Sequence, residues 1–208
     1  MWEGNTIVAR KIKRKRSTAF LNRKILRNYE LKDHILKKYM ILYNRVLKHL
    51  PPVGPKNLII DLGCGYGNFA KVLKNQGYGF DFYLGIDVSD VAIKCAEGWN
   101  PGFKFVQADL LNSKSTRKYF NPLATYIALE VLEHIPDDLA VLKIIPANSR
   151  VILSVPNFDS GAHVRFFHDE KQARARYSQV MRIETSETVD QVGNKNKFFI
   201  VVGRIKDE

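Results

Sequence analysis

The clearest structural signal lies at residues 59–70, which read Ile59-Ile60-Asp61-Leu62-Gly63-Cys64-Gly65-Tyr66-Gly67-Asn68-Phe69-Ala70. A short apolar strand runs into a loop that has glycine at every second position, and a helical pattern follows. Glycine suits a loop whose backbone turns at positive φ and closely approaches a ligand. The N-terminus of the following helix would offer backbone N–H groups to anionic ligand atoms. The segment therefore predicts a strand–loop–helix unit that binds a ligand with its backbone.

Short apolar runs alternate with helical patterns around this loop. We predict strands at Asn57–Leu62, Phe82–Asp87, Phe103–Gln107, Thr125–Leu129 and Arg150–Val155. The intervening patterns predict helices at Asn68–Gln76, Ser89–Gly98, Ser113–Tyr119 and Asp137–Ile145. Continuously apolar strands that are separated by helices are typical of a parallel sheet covered on both faces.

The C-terminal part has a different pattern. After a predicted helix at Asp169–Val180, two β-rich runs follow at Arg182–Val189 and Lys197–Ile205. The loop between them is too short for a crossover connection, so we expect antiparallel neighbours. The chain is thus expected to form an α/β three-layer sandwich around a seven-stranded, mostly parallel sheet with an antiparallel C-terminal strand pair.

The charge is unevenly distributed along the chain. The formal net charge is +12, but the first 50 residues hold 14 basic and 3 acidic residues, whereas the remaining 158 hold 19 and 18. We divide the chain into a basic segment (1–29), a helix and hinge (30–55) and a globular domain (56–208). Apolar residues three or four positions apart predict the helix, which spans Glu30–Leu50 and ends before Pro51-Pro52 and Gly54-Pro55.

Several classes of protein are excluded by composition. No apolar run approaches the roughly 18–20 residues that cross a bilayer, so no transmembrane segment is expected. The N-terminus has no apolar stretch of the kind found in secretory signals. The two cysteines, Cys64 and Cys95, lack zinc-site spacing and are predicted to be reduced thiols in a cytoplasmic protein.

The spacing of the glycine loop distinguishes two kinds of nucleotide site. Dinucleotide-binding folds use G-x-G-x-x-G, whereas Asp61, Gly63, Gly65 and Gly67 form D-x-G-x-G-x-G. This motif resembles the S-adenosylmethionine site of class I (seven-stranded, Rossmann-like) methyltransferases. Further motifs of the same family stand at the carboxyl ends of the following strands, in the expected order. The resemblance covers about residues 56–208. It implies S-adenosylmethionine as cofactor, with Asp61, Gly63, Cys64, Gly65 and Gly67 in the site.

The next strand ends supply the remaining cofactor candidates. Asp87 ends the second strand and Val88 follows it, and a carboxylate at this place can accept hydrogen bonds from both ribose hydroxyls. Asp109 and Leu110 follow the third strand, and the resemblance implies that they meet the adenine ring. Glu130 ends the fourth strand and is the last cofactor candidate.

The fourth strand end also carries a candidate metal or acid–base site. Glu130, Glu133 and His134 stand at i, i+3 and i+4, and their side chains are plausible ligands for Mg²⁺ or another divalent ion. The Glu-x-x-Glu-His motif is similar to that of ubiquinone-pathway O-methyltransferases and of small-RNA 3′-terminal 2′-O-methyltransferases, which are metal-assisted. In the alternative interpretation no metal binds, and His134 is a general base or a pocket wall.

A loop rich in His, Arg and aromatic residues follows the fifth strand and suits an acceptor lid. Within it, His163 is our second candidate for the general base, and Glu133 completes the catalytic candidates. In the RNA-methylating enzymes a later histidine also binds the metal, a role open here to His163 or His168. In the plain structural alternative, Arg165 pairs with a local acid.

Three functions remain open. The first is a methyltransferase that acts on an O or N of a small-molecule acceptor. The second is an RNA or other nucleic-acid methyltransferase that uses Arg10–Arg27 as an anchor for phosphates. The third is a non-catalytic S-adenosylmethionine-binding module.

Overall fold

A computed structural model of the chain describes residues 32–52, 57–191 and 195–207. The predicted basic segment 1–29 lies outside the described residues, as does most of the hinge. No helix among those described is both long and apolar enough to span a bilayer.

The strands form one sheet at the centre of the molecule. Their bounds are Ile59–Leu62 (β1), Tyr83–Asp87 (β2), Lys104–Gln107 (β3), Thr125–Leu129 (β4), Arg150–Pro156 (β5), Met181–Asp190 (β6) and Lys197–Ile205 (β7). Over the described ranges the sheet is seven-stranded, in the order β3-β2-β1-β4-β5-β7-β6. Strands β1 to β5 are parallel, whereas β7 runs antiparallel to both β5 and β6. The predicted sheet, with its antiparallel C-terminal pair, is confirmed.

The helices follow the predicted pattern but are mostly shorter than expected. They span Lys32–Leu47 (α1), Asn68–Asn75 (α2), Asp90–Trp99 (α3), Ser113–Thr116 (α4), Asp138–Lys143 (α5) and Glu170–Tyr177 (α6). The predicted helix Ser113–Tyr119 was wrong in extent, since α4 passes into a 3-10 turn at Arg117–Tyr119. Likewise Ser89, Asp137 and Asp169 lie outside the helices, because their side chains cap the following helical N–H groups.

The sheet is covered on both faces, as predicted for a three-layer sandwich. Along β4, Tyr126 and Ala128 pack into one core and Ile127 into the other, because side chains alternate along a strand. Helices α5 and α6 cover the first face, and α1, α2 and α3 cover the second. This is the Rossmann-like α/β architecture.

The strand order places the site. The chain proceeds outward from β1 to β3 and then returns to β4 on the other side of β1. Open α/β sheets bind ligands in the crevice beside the carboxyl ends of the strands where the order reverses. Here that crevice lies between the segments that follow β1 and β4.

Candidate active site

A cavity of about 430 Å³ opens in this crevice. Its walls come from the loop after β1, the segment after β4, the loop after β5 and helix α1. A larger hollow of about 680 Å³ lies between Phe120, Ile145 and Lys206, and its lining contains no histidine or cysteine. Two histidines and three acidic side chains line the smaller cavity instead: Asp61, Glu130, Glu133, His134 and His163.

The glycine loop (Gly63–Gly67) is held by backbone hydrogen bonds and presents its own backbone to the cavity. The N–H groups of Gly63 and Cys64 donate to the Ile86 carbonyl at 2.7 and 3.0 Å. Gly63 has φ +75°, and a Cβ there would lie 2.4 Å from Val131 Cγ2. Gly65 has φ +54°, and a Cβ there would meet nothing within 4 Å. The loop thus packs against protein at Gly63 and faces open space at Gly65.

The residues predicted to hold the nucleoside lie side by side at the ends of β2 and β3. The Asp87 carboxylate accepts hydrogen bonds from the N–H groups of Gly65 and Ser89, both at 2.9 Å. Val88 is 58% exposed. Asp109 is exposed and accepts from the Leu111 N–H at 2.9 Å. These three residues and the buried Leu110 lie beyond the residues that line the cavity, and Asp87 fixes the glycine loop in addition to its predicted ribose role.

The cavity is rich in buried acidic groups. Asp61 is buried, accepts a hydrogen bond from the Tyr83 hydroxyl at 2.6 Å, and has a pKa that burial raises to about 7. Burial also raises the pKa values of Glu130 and Glu133. The Oδ1 atom of Asn68, in the same wall, is buried without a hydrogen-bond partner.

These features fit S-adenosylmethionine, which carries a positive sulfonium and a positive ammonium group. A positively charged ligand stabilises buried carboxylates in their ionised form. The open face of Gly65 gives the ligand room against the backbone. The unpartnered Asn68 oxygen would accept a hydrogen bond from a donor group of the bound ligand.

The acceptor side of the cavity holds a compact group of side chains, here called the His–Glu cluster: Glu133, His134 and His163. Glu133 and His134 stand on a 3-10 turn at Leu132–His134. Both carboxylate oxygens of Glu133 are buried without a hydrogen-bond partner. Its Oε1 atom lies 3.6 Å from His134 Nε2 and 3.9 Å from His163 Nε2.

The backbone fixes the tautomer of both histidines. Nδ1 of His134 lies 3.1 Å from the Ala162 carbonyl, and Nδ1 of His163 lies 3.0 Å from the Phe158 carbonyl. A carbonyl oxygen only accepts, so each neutral ring carries its proton on Nδ1 and a lone pair on Nε2. Three electron-pair donors thus converge within 4.8 Å of one another, and such a group binds a proton or a metal cation.

Glu130 was predicted to join Glu133 and His134 as a metal ligand, but the structure brings in His163 instead. Glu130 has φ +57°, and its Oε1 accepts from the Ser154 hydroxyl at 2.9 Å. Glu130 lines the same cavity but is not part of the group formed by Glu133, His134 and His163. His168, the other late histidine, is exposed and lies outside the group.

Helix α1 forms one wall of the cavity. Its residues Lys38, Tyr39 and Tyr43 line the wall, and Tyr39 packs against Phe198 with ring centres 5.4 Å apart. Asn68 was not predicted as a site residue, although a polar residue directly after the last glycine of the loop is a usable signal. Lys38 and Phe158 were not predicted as site residues either, although both line the cavity. Nothing in the spacing of these two residues along the sequence marks them as part of a site.

Comparisons with known proteins agree with this geometry. A family model described as a methyltransferase domain matches residues 32–194. Among curated proteins, the mRNA cap guanine-N(7) methyltransferase of Meyerozyma guilliermondii is 42% identical over 57 residues. That match covers 27% of this chain and only 9% of the length of the relative.

Two solved structures show the same fold at low sequence identity. A chain in the complex of the Haloferax volcanii Trm112 methyltransferase activator with a methyltransferase superposes with a TM-score of 0.69 at 12% identity. That match covers 90% of this chain and 96% of the other. An S-adenosylmethionine-dependent methyltransferase from Anabaena variabilis gives a TM-score of 0.64 at 13% identity, covering 96% and 99%.

Proposed function

The chain belongs to the methyltransferase domain family and is an S-adenosylmethionine-dependent enzyme of class I; from this premise we propose that it methylates an O or N atom of a small-molecule acceptor. When bound, S-adenosylmethionine supplies a methyl group activated by its positive sulfur. The protein then has to orient the acceptor and, where the attacking atom carries hydrogen, remove that proton.

One observation carries the proposal: His134 lines the cavity, and its Nε2 lies 3.6 Å from Oε1 of the buried Glu133. His134 is the most exposed member of the His–Glu cluster, with 39% of its side chain accessible. It is therefore placed to take the acceptor proton. Glu133, 3.6 Å away, would stabilise the imidazolium that forms, and His163 would supply a second basic nitrogen.

The size and cover of the cavity favour a small acceptor. Its volume of about 430 Å³ is shared between the cofactor and the acceptor, and whole small-molecule sites span roughly 300–1,000 Å³. Tyr39 and Phe158 give the acceptor side aromatic walls, and α1 lies over it. Such a pocket suits a flat or ring-containing hydroxyl or amino compound.

The His–Glu cluster also fits a divalent cation, which is our second proposal for this site. Glu133, His134 and His163 would hold it, because their donor atoms all lie within 4.8 Å of one another and the carboxylate has no hydrogen-bond partner. The cation would act as a Lewis acid on an acceptor oxygen. Among the divalent ions considered from sequence, which were Mg²⁺, Mn²⁺ or another, two imidazoles and one carboxylate favour Mn²⁺, Fe²⁺ or Zn²⁺ over Mg²⁺.

The nucleic-acid alternative rests on the short match to a cap-methylating enzyme and on Arg10–Arg27, which lies outside the described residues. Guanine N7 attacks through a lone pair and has no proton to lose. A cluster of proton acceptors is therefore better suited to a hydroxyl or amino acceptor than to that base.

We also propose a cytoplasmic location, since Cys64 and Cys95 carry thiols rather than a disulfide.

The function is tested with methyl-labelled S-adenosylmethionine. The protein is incubated with the small-molecule filtrate of a cell extract and, separately, with its RNA. We expect label in the small-molecule fraction, and at least about a hundredfold less with His134→Gln, while calorimetry shows cofactor binding to both proteins. Label only in RNA, lost after deletion of residues 1–29, would establish the alternative. Binding without any transfer would leave a non-catalytic module.

A further inference from the structure

Arg165 joins the two segments that carry the His–Glu cluster. Its side chain is only 9% exposed. Nη1 donates to the carbonyls of Leu132 and Ile135 at 2.5 and 2.6 Å, and Nη2 donates to the carbonyl of Pro136 at 2.7 Å. We propose that Arg165 is a positioning residue that sets the geometry of Glu133, His134 and His163.

The Leu132 carbonyl belongs to the turn on which Glu133 and His134 stand, and the Ile135 and Pro136 carbonyls directly follow that turn. On the other side, Arg165 follows His163 by two residues, and the intervening Val164 N–H donates to the Glu133 carbonyl at 2.8 Å. One guanidinium group and one backbone hydrogen bond thus fix the loop after β5 against the turn after β4. The separation of the Nε2 atoms from Glu133 Oε1 depends on this junction.

A buried acid anchors the guanidinium. Asp138 is fully buried, and its Oδ2 lies 3.4 Å from Arg165 Nη1. Arg176 binds the same carboxylate through two nitrogens, and the Tyr177 hydroxyl donates to it at 3.2 Å. The acid therefore receives contacts from α6 and from Arg165 together, so the guanidinium has little freedom to rotate. Removing one member of a buried ionic group is costly, because it leaves a charge without its partner.

Lysine cannot replace this arrangement. The guanidinium is planar and directs several N–H donors along fixed lines, whereas an ammonium group is a compact point charge. The Arg165→Lys side chain would keep a positive charge near Asp138 but could not bridge three carbonyls that face two different nitrogens. The local acid pairing expected for Arg165 is thus only part of its role.

The test reads the histidine rings directly and needs no acceptor. Nitrogen NMR of ¹⁵N-labelled protein reports which ring nitrogen carries the proton, and single His→Gln variants assign the signals of His134 and His163. In the wild type we expect both rings to carry the proton on Nδ1. In Arg165→Lys and Arg165→Met we expect a mixture of tautomers, because the Ala162 and Phe158 carbonyls no longer face the rings correctly.

The matched control is Arg176→Met, which removes a charge from the same buried group but leaves the three carbonyl contacts in place. We expect its melting temperature to fall while both rings keep the Nδ1 proton. Arg165→Lys retains the charge and serves if Arg165→Met does not fold. Calorimetry should show S-adenosylmethionine affinity within about twofold of wild type in each folded variant.

The proposal is overturned if the wild type lacks the Nδ1 tautomers, if Arg165→Lys keeps them, or if Arg176→Met loses them equally. Its catalytic consequence rests on the proposed function: with the labelled acceptor, Arg165→Lys should lower kcat by roughly 100-fold and leave KM for the cofactor unchanged. The two can fail separately, because absence of transfer by the wild type would refute the function without changing the tautomers.

Discussion

The glycine loop and the His–Glu cluster form two walls of one cavity but are built in different ways. The loop is a single run of chain whose backbone conformation gives it its shape, with positive φ at Gly63 and Gly65. The cluster is assembled from two segments and is held by side chains that never reach the cavity, above all Arg165 and Asp138. A cofactor that a large family shares can be bound through backbone groups. An individual acceptor instead requires particular side chains, which long-range contacts hold in position.

The largest expected effect lies in the His–Glu cluster. His134→Gln and Glu133→Gln should lower methyl transfer by about 10²- to 10⁴-fold, the usual contribution of a positioned acid or base. Cofactor affinity should change little in His134→Gln, because the glycine loop and the buried acidic groups are untouched. Turnover is measured with the acceptor found by label transfer, and calorimetry measures the affinity. His168→Gln is the matched control, since that histidine is exposed and lies outside the cluster. Equal losses in all three variants would remove the cluster from the reaction.

A second experiment separates packing from ligand contact within the glycine loop. Gly63→Ala places a methyl group against Val131 at a left-handed φ, and should destabilise the fold by roughly 2–5 kcal/mol. Gly65→Ala has only the backbone strain, roughly 1–2 kcal/mol, because its methyl group meets open space.

For cofactor affinity the two substitutions should rank in the opposite order, with the larger effect at Gly65. The Gly65→Ala methyl group projects into the space assigned to the cofactor, so we expect at least about a tenfold loss of S-adenosylmethionine affinity. Urea unfolding and calorimetry measure the two effects. Undiminished affinity in Gly65→Ala would show that the ligand does not approach the loop at this glycine.

The same contrast explains what could be predicted from sequence. The loop and the strand ends were predictable because glycine spacing and apolar runs act locally along the chain. Glu133 and His134 were recognisable by their spacing, but the positive φ of Glu130 breaks the simple helical face. The choice of His163 over His168, and the contacts of Arg165 with three carbonyls, depend on how the loop after β5 folds back. No local sequence pattern predicts which side chains of that loop come close to the turn after β4.

The third prediction concerns Asp61 and pH in the absence of ligand. Its folded pKa of about 7 lies above the ordinary value of 3.8, because burial disfavours the charged form. The folded state therefore holds a proton that the unfolded state loses, so this group reduces stability as the pH rises from about 4 to about 7.

Asp61→Asn should abolish that loss, since an amide oxygen still accepts the Tyr83 hydrogen bond. We expect the variant to be more stable than wild type by on the order of 2–4 kcal/mol above pH 7, and similar to it below pH 4. Urea unfolding across this range measures the difference. A constant difference at all pH values would mean that Asp61 does not titrate in this way.

The smallest expected effect concerns how α1 is fastened over the His–Glu cluster. Glu187 on β6 lies 2.8 Å from His49 Nε2 and 3.5 Å from Arg45 Nε. Arg45 belongs to the last turn of α1, and His49 lies just beyond that turn. These groups are partly exposed, so Glu187→Gln should lower the free energy of unfolding by less than about 1 kcal/mol. If α1 is a cover, hydrogen exchange should nevertheless quicken in its amides and not in those of the glycine loop.

Glu184→Gln is the matched control, because Glu184 lies on the same strand but pairs with Arg150 and Arg204, away from α1. It should leave exchange in α1 unchanged at a similar cost in stability. Faster exchange in both walls of the cavity after Glu187→Gln would mean that the loop and the cluster open together, and that the cover does not belong to the acceptor side alone.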